Sequence, residues 1–230
     1  MGQDAYVFGY GSLIERASRT RTNPDAVGAW PARVTGYQRG WFHQFTKSEN
    51  VGSSCTYLGA VEDAKATING VLYYVADFEK TKQRETGYTA RLVPPERVAM
   101  LDGAGPWGGN KDVYIFESNR DDISRTKEPT HDFPIVQSYV DICVNGCLEV
   151  EALYRAARGF VQEFIKTTTG WNKFWVNDRL YPRRPFIYVP KAETIDRALR
   201  EGDVLQYVQL HDIRTASRLD LIRFGRYSPP

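Results

Sequence analysis

The sequence predicts an α+β fold in which a mainly β-sheet half is followed by packed helices. Up to about residue 75 the chain consists of short runs rich in β-branched and aromatic residues, each bounded by Gly, Pro, Ser or Asn. From Pro134 onward the apolar residues recur with the period of an α-helix instead. The chain has 230 residues, which is long enough to bury a stable core without disulfides or a structural metal.

The strands are predicted from composition and from the turn residues that bound them. The predicted strands are 5–10, 32–42, 56–62, 68–75, 90–93 and 112–117. Between the last two, residues 102–110 contain four glycines and Trp107, a composition typical of a loop. Trp107 could serve either as part of a lid or as the single aromatic anchor of a surface loop.

Four helices are predicted from capping residues and apolar spacing. A short helix begins after Asp77, runs through Glu85 and is closed by Gly87. The apolar stripe from Val136 to Val144 predicts a longer helix, which Asn145-Gly146 should stop. The further predicted helices span 150–165 and 191–201. The helices are therefore expected to pack on the sheet.

Composition and charge exclude several classes of protein. Apolar residues make up 42% of the chain and charged residues 25%, as in ordinary globular proteins. Thirty basic and 28 acidic side chains give a net charge of +2, too small to favour nonspecific binding of nucleic acid. No apolar run is long enough to cross a bilayer, so we expect no membrane insertion and a cytoplasmic location.

The cysteines and histidines predict neither a disulfide framework nor a metal site. Cys55, Cys143 and Cys147 are odd in number, which is typical of a reducing compartment. Cys143 and Cys147 fall on the apolar side of their predicted helix and are interpreted as core residues. The three histidines are His43, His131 and His211, and none has the local spacing of a metal ligand. Nothing local therefore indicates a metal site, and one assembled from distant positions stays open.

The first candidate site is the glycine turn that follows the first strand. Main-chain N–H groups converge at such a turn and can hold a carboxylate or an oxyanion, and here they belong to Tyr10, Gly11, Ser12 and Leu13. The turn lacks the glycine patterns of mononucleotide and dinucleotide loops. Taken alone, the motif favours an ordinary structural turn, since glycine turns after strands usually have no ligand.

The second candidate is a glutamate at the end of the short helix. Glu85 is followed by Gly87 and Tyr88, so the carboxylate could project into a cleft where the chain reverses. Partial burial there would raise its pKa towards the range useful for proton transfer. The alternative is a solvated glutamate paired with Arg84 or Lys82.

The arginines and the C-terminal aromatic residues have structural interpretations as well. Arginines are grouped near residues 16–21, 179–184 and 214–226, where ion pairing is favoured over a phosphate-binding track. Residues 171–179 contain large aromatic side chains that could shape the mouth of a pocket. We favour the alternative, in which they form a satellite core that anchors the C-terminal segment.

The two candidate sites together resemble the γ-glutamylcyclotransferase-like superfamily. The resemblance rests on Tyr6-Val7-Phe8-Gly9-Tyr10-Gly11-Ser12-Leu13 and on Arg84-Glu85-Thr86-Gly87-Tyr88-Thr89-Ala90-Arg91, some seventy residues later. Three further segments occur in the matching order, namely Val34-Thr35-Gly36-Tyr37, Gly70-Val71-Leu72-Tyr73-Tyr74-Val75 and Gln137-Ser138-Tyr139-Val140-Asp141. Either motif alone is not specific for the family.

The resemblance implies a fold and a division of the chain. It implies a small mixed β-barrel with flanking helices, in which the cavity lies at the turn beginning at Tyr10. It covers about residues 5–165, so we expect a catalytic domain at 1–165 and a C-terminal helical extension at 166–230 packed on it.

The resemblance also implies an activity without metal or cofactor. Such enzymes convert a γ-glutamyl amide into 5-oxoproline and a free amine. The amides of Tyr10, Gly11, Ser12 and Leu13 would hold the γ-glutamyl group, and Glu85 would act as the general acid and base. Tyr88 and Tyr139 would be pocket hydroxyls, with a buried aromatic role as the alternative for each.

Several alternatives stay open at this point. The fold could serve a non-catalytic binding module, or the pocket could belong to a γ-glutamyl amide hydrolase or ligase. The substrate is open among glutathione, γ-glutamyl amino acids, γ-glutamyl amines and a γ-glutamyl biosynthetic intermediate. The C-terminal apolar residues could serve a homodimer contact or packing within the chain.

Overall fold

The computed structural model describes residues 3–46, 54–85, 87–101, 105–118, 127–179 and 191–210. Several residues named above lie outside these ranges, namely Thr86, His211 and residues 102–104, 180–184 and 214–226. Within the described part of the chain, no helix combines the length and the apolar character needed to span a membrane.

The described strands form one mixed sheet. They are β1 (Ala5–Gly9), β2 (Val27–Phe45), β3 (Cys55–Val75), β4 (Tyr88–Val93), β5 (Val98–Met100), β6 (Val113–Ser118), β7 (Ile135–Val136), β8 (Thr168–Thr169) and β9 (Trp175–Val176). The main path has the order β4-β6-β1-β3-β2-β5, in which β1 pairs antiparallel with β3 and parallel with β6. The central position of β1 places the turn that follows it deep in the molecule.

The helices lie beside this sheet. They are α1 (Arg16–Thr22), α2 (Phe78–Arg84), α3 (Gln137–Leu153), α4 (Phe160–Thr167), α5 (Ala192–Glu201) and α6 (Leu205–Leu210). A mixed sheet with flanking helices confirms the predicted α+β class. Among the described residues the path between β4 and β5 is open, so closure into a barrel stays a prediction.

The long strands β2 and β3 form the largest part of the sheet. The predicted strands 56–62 and 68–75 are joined in the structure as one strand, β3. Between the pairs Tyr37↔Glu62 and Thr35↔Thr67, four residues of β3 lie opposite one residue of β2, which makes a bulge. The polar sequence of this bulge interrupts the strand pattern, which explains why two strands were expected.

The prediction that Asn145-Gly146 stops a helix is wrong. α3 continues through both residues to Leu153. A Cβ atom at Gly146 would lie 2.4 Å from the main-chain nitrogen of Glu15. Glycine therefore allows α3 to pack against the chain that follows the Tyr10 turn. Close packing, rather than termination of the helix, explains why a glycine stands at this position.

The predicted helix 150–165 is also wrong as a single element. α3 ends before Tyr154, a short 3₁₀ turn covers Arg155–Ala157, and α4 begins at Phe160. Gly159 has a φ of 82°, a conformation that glycine adopts without strain. The chain therefore reverses between two helices, although the apolar residues continue at nearly helical spacing.

The C-terminal aromatic residues belong to the main core. β8 pairs with β2 and β9 pairs with β7, so this segment extends the same sheet. Trp175 is buried, and Trp171 contacts both Trp175 and Trp41 of β2 with ring centroids 5.1 Å apart in each pair. The aromatic residues thus anchor the segment as expected, but in the main core rather than in a separate one. The domain boundary at residue 165 stays a prediction.

Two smaller expectations concern buried thiols and the glycine-rich loop. Cys143 and Cys147 are buried, which confirms the core interpretation, and burial raises the pKa of the Cys147 thiol. Trp107 is half-buried, and its indole N–H donates to the carbonyl of Lys111 at 3.0 Å. This contact fits a surface loop with one aromatic anchor, whereas a lid stays a prediction.

Candidate active site

The Tyr10 turn leaves the central strand and continues directly into a helical turn. Residues Ser12–Ile14 form a 3₁₀ turn, in which the N–H of Ile14 donates to the carbonyl of Gly11 at 3.0 Å. The first N–H groups of a helical turn have no acceptor within that turn, and here they belong to Ser12 and Leu13. The turn therefore presents main-chain donors of the kind that hold an anion.

A buried arginine beneath the turn fixes one of its peptide groups. Arg39 lies on β2 and is fully buried. Its Nη1 donates to the carbonyl oxygen of Tyr10 at 3.2 Å. In a trans peptide the N–H points away from the carbonyl, so this bond directs the N–H of Gly11 away from Arg39.

The other contacts of Arg39 tie the turn to the rest of the fold. All three guanidinium nitrogens donate, and the remaining acceptors lie on Asn69, Phe164, Thr167 and Thr168 at 2.7–3.0 Å. Several of them belong to the end of α4, where the helix dipole favours a cation. Burial lowers the pKa of Arg39 to about 10, so the group stays charged at neutral pH.

Sequence analysis missed Arg39, although a signal was present. Tyr37, Arg39 and Trp41 alternate along β2, and in a strand such residues share one face. Since Tyr37 and Trp41 are large aromatic residues of the core, the same alternation places Arg39 inside. A charged residue in an inward position of a strand needs a network of acceptors, as Arg39 has.

Glu85 lies at the end of α2, as predicted. Asp77 caps the start of this helix by accepting from the N–H of Lys80 at 3.1 Å. At the other end, the N–H of Glu85 donates to the carbonyl of Thr81 at 3.2 Å. The chain then reverses at Gly87, which has a φ of 95°. Glu85 itself is half-buried rather than fully solvated.

The charge of Glu85 acts on several buried tyrosines. Burial raises the pKa of Tyr10, and the negative charge of Glu85 raises it further. The same two causes, in the same order, raise the pKa of Tyr73. The pKa of Tyr88 is raised chiefly by burial, then by the neighbouring phenols of Tyr10 and Tyr139, and then by the charge of Glu85. Glu85 is also tied directly to Tyr88, whose main-chain N–H donates to the carbonyl of Glu85 at 3.3 Å.

Two further predicted residues lie around Gly11. A Cβ atom at Gly11 would lie 3.2 Å from the hydroxyl of Tyr139 and 3.6 Å from the side chain of Leu58. The hydroxyl of Tyr88 donates to the carbonyl of Leu58 at 3.0 Å. The structure thus brings the turn, Tyr88, Tyr139 and Glu85 into one region. Their roles in binding or catalysis stay predictions.

The side chain of Tyr10 is used in packing rather than exposed to a ligand. Its hydroxyl donates to the carbonyl of Phe116 at 2.5 Å, and the residue is buried. Only the main chain of Tyr10 is therefore a candidate for contact with a ligand.

His43 is a second residue that sequence analysis did not connect with the site. Its ring stacks on Tyr88, with centroids 4.0 Å apart and planes 14° apart. Its Nδ1 shares a hydrogen bond of 3.0 Å with the hydroxyl of Ser118. His43 is buried two positions after Trp41, but the register between β2 and β3 shifts between these two residues, so the alternation that indicates Arg39 does not extend to His43.

No group of three or more His, Cys, Asp or Glu side chains in the described ranges has the arrangement needed to hold a metal ion. The groups around the turn include one half-buried carboxylate and a set of main-chain donors. Such an arrangement can transfer a proton and stabilise a developing negative charge.

The chain resembles some solved structures but has no significant sequence match among protein families or curated proteins. Among solved structures, a γ-glutamyl cyclotransferase has 14% sequence identity and a TM-score of 0.49, over 87% of this chain and 100% of that one. A glutathione-specific γ-glutamyl cyclotransferase from yeast has 12% identity and a TM-score of 0.42, over 91% and 99%.

An uncharacterized human protein is also similar, with 15% identity and a TM-score of 0.48 over 67% of this chain and 85% of that one. Each of these TM-scores is below 0.5 and each identity is below 25%. The likenesses are therefore too weak to support a function. The site itself supplies the basis for the function proposed below.

Proposed function

We propose that this protein is a cyclotransferase that converts a γ-glutamyl amide into 5-oxoproline and a free amine. One observation carries the proposal: Tyr88 connects Glu85 with the turn. Its main-chain N–H donates to the carbonyl of Glu85 at 3.3 Å, its hydroxyl donates to the carbonyl of Leu58 at 3.0 Å, and the side chain of Leu58 would lie 3.6 Å from a Cβ atom at Gly11. This arrangement supports a site in which Glu85 transfers the proton and the turn supplies main-chain donors.

The reaction is an intramolecular acyl transfer. The α-amino nitrogen of the γ-glutamyl group attacks its own γ-carbonyl carbon, and the bond between that carbon and the leaving nitrogen breaks. The α-ammonium nitrogen loses two protons as it becomes the ring amide, and the leaving nitrogen gains two as it departs as an ammonium group, so Glu85 accepts and returns one proton at a time. No proton is consumed or released within the site, so one carboxylate suffices.

The Tyr10 turn supports this reaction by electrostatic means. Negative charge develops on the γ-carbonyl oxygen during the attack, and preorganised N–H donors stabilise it. Arg39 contributes by holding the Tyr10 carbonyl, which keeps the N–H of Gly11 directed to the other side of the peptide. Because attack is intramolecular, the protein needs only to hold a cyclising conformer of the substrate.

The experiment is a screen of γ-glutamyl compounds for 5-oxoproline by mass spectrometry. The panel contains glutathione, γ-glutamyl amino acids and γ-glutamyl amines. We expect 5-oxoproline from at least one class, and Glu85→Gln should lower kcat by roughly 10²–10⁴ because it removes the proton-transferring group. Circular dichroism and thermal unfolding should show the same fold for both proteins.

A matched control lies on the same helix. Glu79 is exposed and pairs with Lys82 at 3.7 Å, so Glu79→Gln should leave turnover unchanged. Wild-type kcat in the Glu85→Gln variant would reject the role of Glu85. Free glutamate in place of 5-oxoproline would identify a hydrolase, and binding without any product would identify a binding module.

A further inference from the structure

The first turn of α3 is capped by a residue from the C-terminal segment. Val136 precedes this helix and provides no side-chain acceptor. Asp178 takes that role, since its two carboxylate oxygens accept from the main-chain N–H and from the hydroxyl of Ser138, both at 2.7 Å. A carboxylate at a helix N-terminus satisfies a donor and interacts favourably with the helix dipole.

The next residue forms a second connection to the same turn. Arg179 donates through Nε and Nη2 to both carboxylate oxygens of Asp141 at 2.7 and 2.8 Å. It also donates to both oxygens of Asp196 on α5, at 2.7 and 2.9 Å. Asp141 is fully buried and accepts additionally from Gln137 at 2.8 Å. Arg179 therefore links α3 to α5 through two bidentate contacts.

Tyr139 lies between these two connections. Asp178 holds the residue before it, and Arg179 holds Asp141, two positions after it. Immediately before α3, β7 pairs with β9, which leads directly into Asp178. On the other side, Trp41 meets the ring of Tyr139 edge to face at 5.9 Å, and Trp171 packs on Trp41. The C-terminal segment thus contacts α3 on both sides of Tyr139, whose hydroxyl lies near Gly11.

We propose that residues 175–179 position the Tyr139 hydroxyl over the Tyr10 turn, so that Asp178 and Arg179 are positioning residues of the site. This inference rests on the proposed function, because it assigns the C-terminal extension a part in the same reaction. A displacement of about 1 Å at a reacting group can lower a rate a hundredfold. Small changes in the first turn of α3 are therefore sufficient to alter turnover.

The kinetic test is a double-mutant cycle with Tyr139. Arg179→Gln and Asp178→Ala are each made in the wild type and in Tyr139→Phe. In the wild type we expect kcat to fall about tenfold or more, with a smaller change in KM, because the substrate still binds to the turn. In Tyr139→Phe the same substitutions should have little further effect, since the hydroxyl that they position is absent.

A spectroscopic test is independent of activity. The protein is labelled with 3-fluorotyrosine, and the ¹⁹F resonance of Tyr139 is assigned by its loss in Tyr139→Phe. Arg179→Gln and Asp178→Ala should shift or broaden this resonance. Arg197→Gln is the matched control, because Arg197 pairs with Glu193 in an exposed contact on α5 at 3.2 Å. This control should leave both the resonance and kcat unchanged.

The outcomes separate this inference from the proposed function. If the wild type forms no 5-oxoproline from any substrate, the proposed function fails and the ¹⁹F signal alone decides the positioning role. An unmoved Tyr139 resonance, or equal losses of kcat with and without the Tyr139 hydroxyl, would overturn the inference. If Arg179→Gln fails to fold, two milder variants are judged by the same two measurements. Arg179→Lys keeps the charge but loses the bidentate contacts, and Ser138→Ala removes one hydrogen bond to Asp178.

Discussion

The two halves of the candidate site differ in how the protein holds them. The Tyr10 turn follows the central strand β1, and buried Arg39 bonds to its carbonyl together with acceptors on β3, α4 and β8. Glu85 lies at the end of α2, a helix of seven residues, and is only half-buried. One half is part of the core, whereas the other is close to the surface.

This difference corresponds to two chemical tasks. Donors that stabilise a developing charge are effective when they are fixed before the reaction, because no energy is then spent in reorienting them. A carboxylate that accepts and returns a proton must reach two different nitrogen atoms in succession. We therefore expect substitutions beneath the turn to affect folding, and substitutions near Glu85 to affect mainly the reaction.

The largest effect is expected for Arg39→Met. The substitution leaves several buried carbonyl and hydroxyl groups without a donor, each at a cost of roughly 1–3 kcal/mol. The free energy of unfolding should fall by at least about 3 kcal/mol, measured by denaturant unfolding. Such a loss is a large part of the stability of an ordinary domain.

The control for this variant is Arg33→Met on the same strand. Arg33 pairs with Glu163 at 2.5 Å, but its side chain is 43% exposed. Water replaces the lost contact, so the free energy of unfolding should change by about 1 kcal/mol or less. Similar losses in the two variants would refute the structural role of the buried guanidinium.

A second substitution tests the packing of the turn against α3. In Gly146→Ala the new methyl group would meet the backbone at Glu15, which cannot move aside as a flexible side chain can. The higher helix propensity of alanine does not offset this overlap, and stability should fall by about 1–3 kcal/mol. Gly108→Ala is the control, because no atom lies within 4 Å of the added Cβ. Equal unfolding midpoints for the two variants would contradict the close contact.

Gly146 and Arg39 also explain where sequence-based prediction succeeded and failed. The α+β class, β1, α2 and α5 follow from local spacing and capping residues, and these signals lie within a few residues of the feature they predict. The role of Gly146 depends on a backbone more than a hundred positions away, so local rules interpret it as a helix stop. The partners of Arg39 are 29 to 129 positions away along the chain, which is also beyond the reach of local rules.

The candidate site shows the same division between local and distant information. Two short motifs identified Tyr10 to Leu13 and Glu85, and the structure brings them into one region. His43 was missed because its neighbours Tyr88 and Ser118 come from β4 and β6. Pairing between distant strands cannot be read from one segment, and the register shift between Trp41 and His43 interrupts the alternation that indicates Arg39.

A smaller effect is expected on the other half of the site, for Asp77→Ala. This substitution removes the cap of α2, and loss of an N-cap costs about 1 kcal/mol. The free energy of unfolding should fall by about 1 kcal/mol. The value of kcat should fall by more than the small loss of folded protein explains, because fraying of α2 displaces Glu85. The measurement compares thermal unfolding with turnover, with Asp25→Ala as the exposed control. A fall in stability of the size expected for Arg39→Met would remove the distinction between the two halves.

The smallest effect is expected for Asp4→Asn at the surface. Hydrogen bonds from Lys111 and Tyr74 lower the pKa of Asp4 from its ordinary value of 3.8. A lowered pKa in the folded state stabilises the fold above the ordinary value, and this contribution is lost as the pH falls through the folded-state value. The thermal midpoints of wild type and variant should therefore differ slightly at pH 7 and converge well below pH 4. A difference that grows with acidity would contradict the pairing.

The hydrogen bonds of Arg39 also bear on the synthesis of the protein. The turn at Tyr10 leaves the ribosome well before its supporting partners at Phe164, Thr167 and Thr168. Contacts of such long sequence separation form slowly. A nascent chain that stops before α4 thus lacks several of the acceptors that the Arg39 guanidinium has in the folded protein.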